Sequence, residues 1–133
     1  MILIDTSAWV EFFRATGSKA AVHVRALLAE RPNEVAMCEP VAMEILAGAG
    51  NDTYAKLERL VNGLSTLPLE PAVDFRSAAT LYRAARRGGR TIRSLNDCLI
   101  AATAIRHEAE VVHCDTDFDV IASVAPLRAT SVR

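Results

Sequence analysis

Few features in this chain could staple or anchor it. Only three cysteines occur among its 133 residues, Cys38, Cys98 and Cys114, and they are widely spaced with no CxxC pair. An odd, scattered set of this kind excludes a disulfide framework and a cysteine-based zinc site, and reads instead as small buried side chains in a reducing compartment. No apolar run approaches the roughly 18 residues that a membrane span needs, so no membrane partner is expected. Residues 1–9 carry an acid at Asp5 and have neither a basic start nor a small-residue cleavage site, which does not suit a signal peptide; a cytoplasmic location is the expectation. A charge excess is lacking too. With 15 Lys plus Arg against 16 Asp plus Glu, the net charge of -1 excludes a globally basic nucleic-acid coat and leaves local patches as the route to a polyanion. Aromatic residues number only seven.

Small apolar residues are abundant instead. The chain is 51% hydrophobic, and 23 of its residues are alanine, which favours closely packed helices over bulky cores. A chain of this length buries about 68% of its unfolded surface, enough for one core, so residues 1–133 are expected to form a single domain. Periodicity predicts a strand over residues 1–5, helices over 6–15 and 18–31, a strand over 34–38, and a helix that begins around Pro40 and stops at Gly48 and Gly50. Then come a helix over 53–61, an edge strand over 64–69 weakened by Pro68, and a long helix over 72–87 whose buried stripe reads Phe75, Ala78, Ala79, Tyr82 and Ala85. A helix over 94–107, a strand over 110–113, a short helix over 117–124 and a strand over 127–132 complete the chain. Alternation of this kind implies an α/β/α sandwich with a mainly parallel central sheet. Ligands of such sheets gather outside the carboxyl ends of the strands.

Acids mark those ends. Asp5 closes the first strand, Glu44 lies one turn into the helix after the second, Asp97 opens the helix from Ser94, and Asp115 follows the strand ending at His113. Each has a plain local explanation. Asp5 suits a helix cap, Glu44 suits a first turn, Ser94 with Asp97 resembles a capping box, and Asp117 and Asp119 suit a turn or a cap. Local roles do not explain why carboxylates recur at equivalent strand ends. Two of them about 5 Å apart repel by roughly 3 kcal/mol at an effective dielectric near 20, so four together need a cation or raised pKa values. Oxygen-only ligands select Mg²⁺ or Mn²⁺, with open positions for water and a phosphate oxygen. A calcium EF-hand beginning at Asp115 is excluded, because its sixth position is Val120 where Gly is required and its twelfth is Pro126 where Glu is required.

The motifs Met1-Ile-Leu-Ile-Asp5-Thr-Ser7, Pro40-Val-Ala-Met-Glu44-Ile-Leu, Ser94-Leu-Asn-Asp97-Cys-Leu-Ile-Ala-Ala102 and His113-Cys-Asp115-Thr-Asp117-Phe118 together resemble PIN-domain ribonucleases, and among them the VapC toxins of bacterial toxin-antitoxin pairs. The resemblance spans essentially the whole chain. It implies that Asp5, Glu44, Asp97 and Asp115 are the catalytic, metal-binding acids, that Asp117 is a fifth acid used by some members, and that Thr6 or Ser7 orients substrate or a metal-bound water. It further implies cleavage of single-stranded RNA, commonly in tRNA or ribosomal RNA, leaving a 5′-phosphate and a 3′-hydroxyl. A homodimer and a cognate VapB-type antitoxin are the implied partners. Apolar residues on the helices over 9–28 and 54–61 would serve antitoxin contact, although core packing is the stronger reading of Trp9, Leu27 and Leu57.

Residues 76–93 hold six arginines and no acid. Arg76 and Arg83 read as a solvated helix face, whereas Arg90 and Arg93 flank the start of the Asp97 helix beyond a Gly-Gly turn and are the expected RNA-phosphate contacts. His23, His107 and His113 read as structural. Other functions fit less well. A receiver-type switch needs a strand-end lysine, yet Lys19 and Lys56 both fall on expected helices. A small-molecule phosphatase needs a nucleophile motif after the first strand. A PIN fold that binds RNA or protein without catalysis would have no reason to carry all four acids.

Overall fold

The computed structural model describes all of residues 1–133. Five strands, β1 (Ile2–Ile4), β2 (Val35–Met37), β3 (Ser65–Thr66), β4 (Glu110–His113) and β5 (Arg128–Ser131), form one sheet in the order β3-β2-β1-β4-β5. Every pairing is parallel, with Ile2 opposite Val35 on one side and Glu110 on the other. Short strands suffice because both faces are covered. β1 and β2 are wholly buried and contain no charged residue, as strands enclosed on two faces must be. β3 is a two-residue exposed edge, cut short before Pro68.

Seven helices connect and flank the sheet: α1 (Thr6–Phe13), α2 (Lys19–Glu30), α3 (Glu39–Ala47), α4 (Tyr54–Gly63), α5 (Pro71–Arg87), α6 (Leu95–Arg106) and α7 (Thr116–Val124). From β1 the chain steps outward through β2 to β3, then crosses back to β4 and steps outward the other way to β5. Right-handed crossovers in these opposite directions place α1 to α4 on one face and α5 to α7 on the other. The observed packing of α1 on α2 and α3, and of α5 on α6 and α7, agrees. The core runs through the sheet, with Trp9 and Met37 among its largest buried side chains and Phe118 and Ile100 equally enclosed. Residues 97–104 of α6 are buried without a break, and Ala101, Ala102 and Ala104 let that helix lie close to its neighbours.

The long helix α5 differs from the expected stripe by one residue. Asp74, Ala78, Leu81 and Ala85 face inward, while Phe75 is 54% exposed and Ala79 is exposed. The reason is an ion pair. Arg106 near the end of α6 donates from Nε to Asp74 Oδ1 at 2.8 Å and from Nη2 to Asp74 Oδ2 at 2.9 Å, and the Glu70 backbone N–H adds a 2.8 Å bond. The same guanidinium and the His107 ring both meet the Pro68 carbonyl. This forked pair rotates Asp74 into the interior and fastens the connection between β3 and α5 to the base of α6.

Asp74→Asn should therefore lower stability by about 3 kcal/mol, the low end for breaking a buried pair because Arg106 is a third exposed. Hydrogen bonding by Arg106 holds the Asp74 carboxyl below its ordinary value of 3.8. The unfolded chain thus takes up the proton first on acidification, and the contribution is complete above 3.8 and lost as pH falls further. Denaturant midpoints of wild type and variant should differ most at neutral pH and converge in acid.

Candidate metal centre

The acids converge at the carboxyl end of the sheet, beside the point where strand order reverses between β1 and its two neighbours. Asp5 leaves β1 with its backbone N–H bonded to the Val112 carbonyl of β4 at 2.9 Å. It caps α1, accepting the Ser7 N–H on Oδ2 at 3.0 Å. Asp115 caps α7 in the same manner, accepting the Asp117 N–H at 2.9 Å. Glu44 projects from α3, Asp97 lies in the first turn of α6, and Asp117 lies in the first turn of α7. Positive helix N-termini thus face four of the five carboxylates and offset part of their repulsion.

One oxygen each from Asp5, Glu44 and Asp97 lies within 4.8 Å of the others, and the same holds for Asp97, Asp115 and Asp117. Asp97 belongs to both trios. It is not spent on capping: Ser94 makes no side-chain cap bond, so the capping box suggested by the spacing does not form. Asn96 and Asp97 both lie within the helix, which starts at Leu95. Asp5 is 2% exposed, and its Oδ1 is buried without any hydrogen-bond partner. A buried carboxylate oxygen without a hydrogen-bond partner, set beside other carboxylates, is a donor suited to a cation. The donor set, five carboxylates with no thiolate or imidazole among them, suits a hard divalent ion.

Electrostatics agree. Burial, followed by the charges of Asp5, Asp115 and Glu44, pushes the Asp97 carboxyl up to about 8. Burial likewise pushes Asp5 up to about 6, against the opposing hydrogen bonds from Ser7. The cysteines lie apart from this chemistry. Burial raises all three thiols, so none is poised as a thiolate ligand.

Thr6 and Ser7 face the acids. Thr6 Oγ1 donates to Glu44 Oε1 at 2.8 Å, while Ser7 Oγ donates to Asp5 Oδ2 at 2.6 Å and accepts the Cys114 N–H at 2.9 Å. Ser7 therefore links the ends of β1 and β4. Arg93 also turns inward: its Nη2 lies 3.0 Å from Asp115 Oδ1, its Nε 3.7 Å from Asp117 Oδ2, and its backbone N–H donates to Asp117 at 3.0 Å. Arg90 is exposed and makes no ion pair. Asp119 points elsewhere, toward Arg133 and His113.

Two supports go beyond the sequence reading, which takes His113 as structural without naming its partner and gives Asn96 no role. Asn96 Nδ2 donates to the Pro40 carbonyl at 3.3 Å, tying the N-termini of α6 and α3 together. His113 is buried against Phe118, ring centroids 5.3 Å apart, and its Nδ1 accepts the Asp115 N–H at 3.3 Å. Burial lowers the His113 pKa, which keeps Nδ1 available as an acceptor. Their adjacency to Asp97 and Asp115 is the only sequence signal that could have raised them.

The PIN domain model matches residues 2–124. The chain belongs to the PIN-domain family. Its relatives include Ribonuclease VapC11 of Mycobacterium tuberculosis and VapC ribonuclease Mb1587 of Mycobacterium bovis, each 66% identical over 134 residues, with complete coverage of both chains, which places it in the VapC group. Among solved structures, VapBC2 from Rickettsia felis bound to a promoter DNA fragment superposes with a TM-score of 0.75 at 20% identity, covering all of both chains. FitAB bound to a DNA fragment gives 0.76 at 24%, covering 98% of this chain and 94% of the other. These confirm the α/β/α architecture.

Because the native Asp97 carboxyl holds its proton more tightly than its ordinary value of 3.8, the folded state binds more protons than the unfolded one between 3.8 and about 8. Stability of the metal-free protein should fall as pH rises through that window. Asp97→Asn should remove this part of the decline and stabilise the metal-free protein at pH 8 by about 1–2 kcal/mol, a usual gain from relieving a strained functional site. Denaturant titrations in chelator at pH 5 and pH 8 measure it.

Proposed function

We propose that this chain is a divalent-metal-dependent endoribonuclease, using Mg²⁺ or Mn²⁺, and the toxin of a VapBC-type pair. The observation that carries the proposal is the pair of carboxylate trios sharing Asp97, one of which contains the orphaned Asp5 Oδ1. Relatives at 66% identity over the full length are named ribonucleases.

Asp5, Glu44, Asp97 and Asp115, with Asp117 as a fifth donor, would be the metal ligands, in two trios that share Asp97. A bound divalent ion supplies an activated water at neutral pH and neutralises charge on the phosphodiester. The chain's own residues orient that chemistry. Ser7 keeps Asp5 Oδ2 engaged and leaves Oδ1 free to face the pocket, and Thr6 fixes Glu44 in the same way. Thr6 and Ser7 thus support the reaction through the acids they hold. Arg90, exposed and three residues before Arg93 on the loop into α6, would meet a backbone phosphate of single-stranded RNA, and Arg93 would add a second cation on the same loop. No histidine is in place as a general acid-base pair: His113 is enclosed and His107 is bonded to Pro68.

Solved structures with the same fold include a toxin-antitoxin complex from Klebsiella pneumoniae and VapBC2 from Rickettsia felis, and we assign a VapB-type antitoxin and a homodimer as the partners of this chain. Val22 of α2 and Tyr54 of α4 are exposed and offer apolar contact, whereas Trp9 and Leu27 are buried in the core. No helix is long and apolar enough to cross a membrane; cytoplasmic residence accords with an RNA substrate.

Purified protein should cleave single-stranded RNA with Mg²⁺ or Mn²⁺ and stop on chelation. Asp5→Asn and Asp97→Asn should each lower kcat by at least about 100-fold, beyond the 10- to 100-fold typical of residues that merely support ligands. Cleavage that persists in chelator would overturn the mechanism. Arg90→Glu should weaken RNA binding and reduce the magnitude of its salt slope by at least about one, as loss of a phosphate contact requires; filter binding across a salt series reads both.

A further inference from the structure

We infer that Arg93 sets how many divalent ions the free protein holds: its guanidinium serves as a built-in cation on the Asp115 and Asp117 half of the cluster, leaving room for one ion on the Asp5, Glu44 and Asp97 half. This rests on the metal reading above and deepens it. The two trios have similar donors and share Asp97, yet their surroundings differ. Around the first trio the contacts are neutral hydroxyls, Thr6 on Glu44 and Ser7 on Asp5, and Asp5 Oδ1 has no partner at all. Around the second, the Arg93 fork reaches both carboxylates, with Nη2 at 3.0 Å from Asp115 and Nε at 3.7 Å from Asp117. No positive side chain pairs with the first half, and Arg93 pairs with the second.

The attachment is also built to be undone. Arg93 is anchored by its backbone N–H to Asp117, so the loop position does not depend on the guanidinium. The side chain itself is 73% exposed, so rotating it outward meets little packing. Its exposure places the ion pair in the class that contributes little to stability. A phosphate oxygen, which arginine grips through the same fork, is a natural competitor for it. RNA arriving at the rim would draw Arg93 from the acids, freeing the second half for another ion at the moment substrate is present. Arg93 is on this account a positioning residue that couples substrate arrival to metal occupancy.

The test is Mn²⁺ titration of the full-length protein without RNA, by calorimetry and by the electron paramagnetic resonance signal of free Mn²⁺, for wild type, Arg93→Gln and Arg93→Lys, with circular dichroism melts to confirm folding. Wild type should bind one ion. Arg93→Gln should bind a second, or tighten the second by at least about tenfold, since a unit positive charge a few ångströms away is removed. Arg93→Lys should stay close to wild type because it keeps the charge. Equal stoichiometry and affinity for wild type and Arg93→Gln, or two tight ions in the wild type, would overturn the role of Arg93 while leaving the metal centre standing. Failure of both proteins to bind any Mn²⁺ would overturn the metal centre and this inference together.

Discussion

Mutual repulsion of five carboxylates is the constraint around which this molecule is arranged. Asp5, Glu44, Asp97, Asp115 and Asp117 come from four separate segments, and nothing in their local sequences obliges them to meet. The sheet makes them meet. β1 lies at the centre, flanked by β2 and β4, so the connections leaving all three strands open at one end and each brings an acid with it. Burial first, and the neighbouring carboxylates after it, push Asp5 up to about 6 and Asp97 up to about 8, so ionising both acids in the folded state works against folding. The Asp74 and Arg106 pair, the unbroken burial of α6 and the enclosed strands offset that cost at a distance from the site.

The fold restrains the repulsion without removing it. Capping draws on one oxygen of Asp5 and of Asp115, and helix N-termini partly compensate the rest. Hydroxyls from Thr6 and Ser7 fix the geometry while adding no charge. What persists is a pocket whose acids are oriented but incompletely neutralised, which is the state that a divalent ion binds best. Capping and ligation are therefore compatible uses of one carboxylate, because it has two oxygens. This is why Asp5 can satisfy the ordinary explanation for an acid before a helix and still present Oδ1 to the site.

Much of this was legible in the chain. Alternating strands and helices fixed the layered architecture, and acids at strand ends marked the rim without any knowledge of contacts. Element boundaries shifted by only a few residues, as where helix α6 runs over Leu95–Arg106 against the expected 94–107. The failures have physical causes. Hydrophobic periodicity placed Phe75 inward on α5, but the pairing of Asp74 with a residue 32 positions away rotates the helix, and periodicity has no means of detecting a distant charge. Arg93 read as an RNA contact, which the structure does not test; what the local sequence could not show is its pairing with Asp115 and Asp117, which follow more than twenty residues later. His113 and Asn96 act through a backbone N–H and a backbone carbonyl, groups that every residue carries and no motif records.

The juxtaposition of acids and arginines bears on how a nearly neutral protein would approach a polyanion. Five carboxylates together repel a phosphodiester, and single exposed arginines on the preceding loop cannot offset them. Ion binding lowers the negative potential at the spot where a phosphate must lie, so metal and RNA affinities are linked and each must raise the other by the same factor. The arrangement of residues 76–93 is compatible with such a coupling: four of its six arginines lie along α5, and of the six only Arg93 pairs with the acids of the cluster. An even distribution of the same charges would give the same net charge of -1 but no gradient leading from the helix face to the carboxylates. Segregation of charge, more than its total, is what makes a weakly acidic chain suited to a substrate of its own sign.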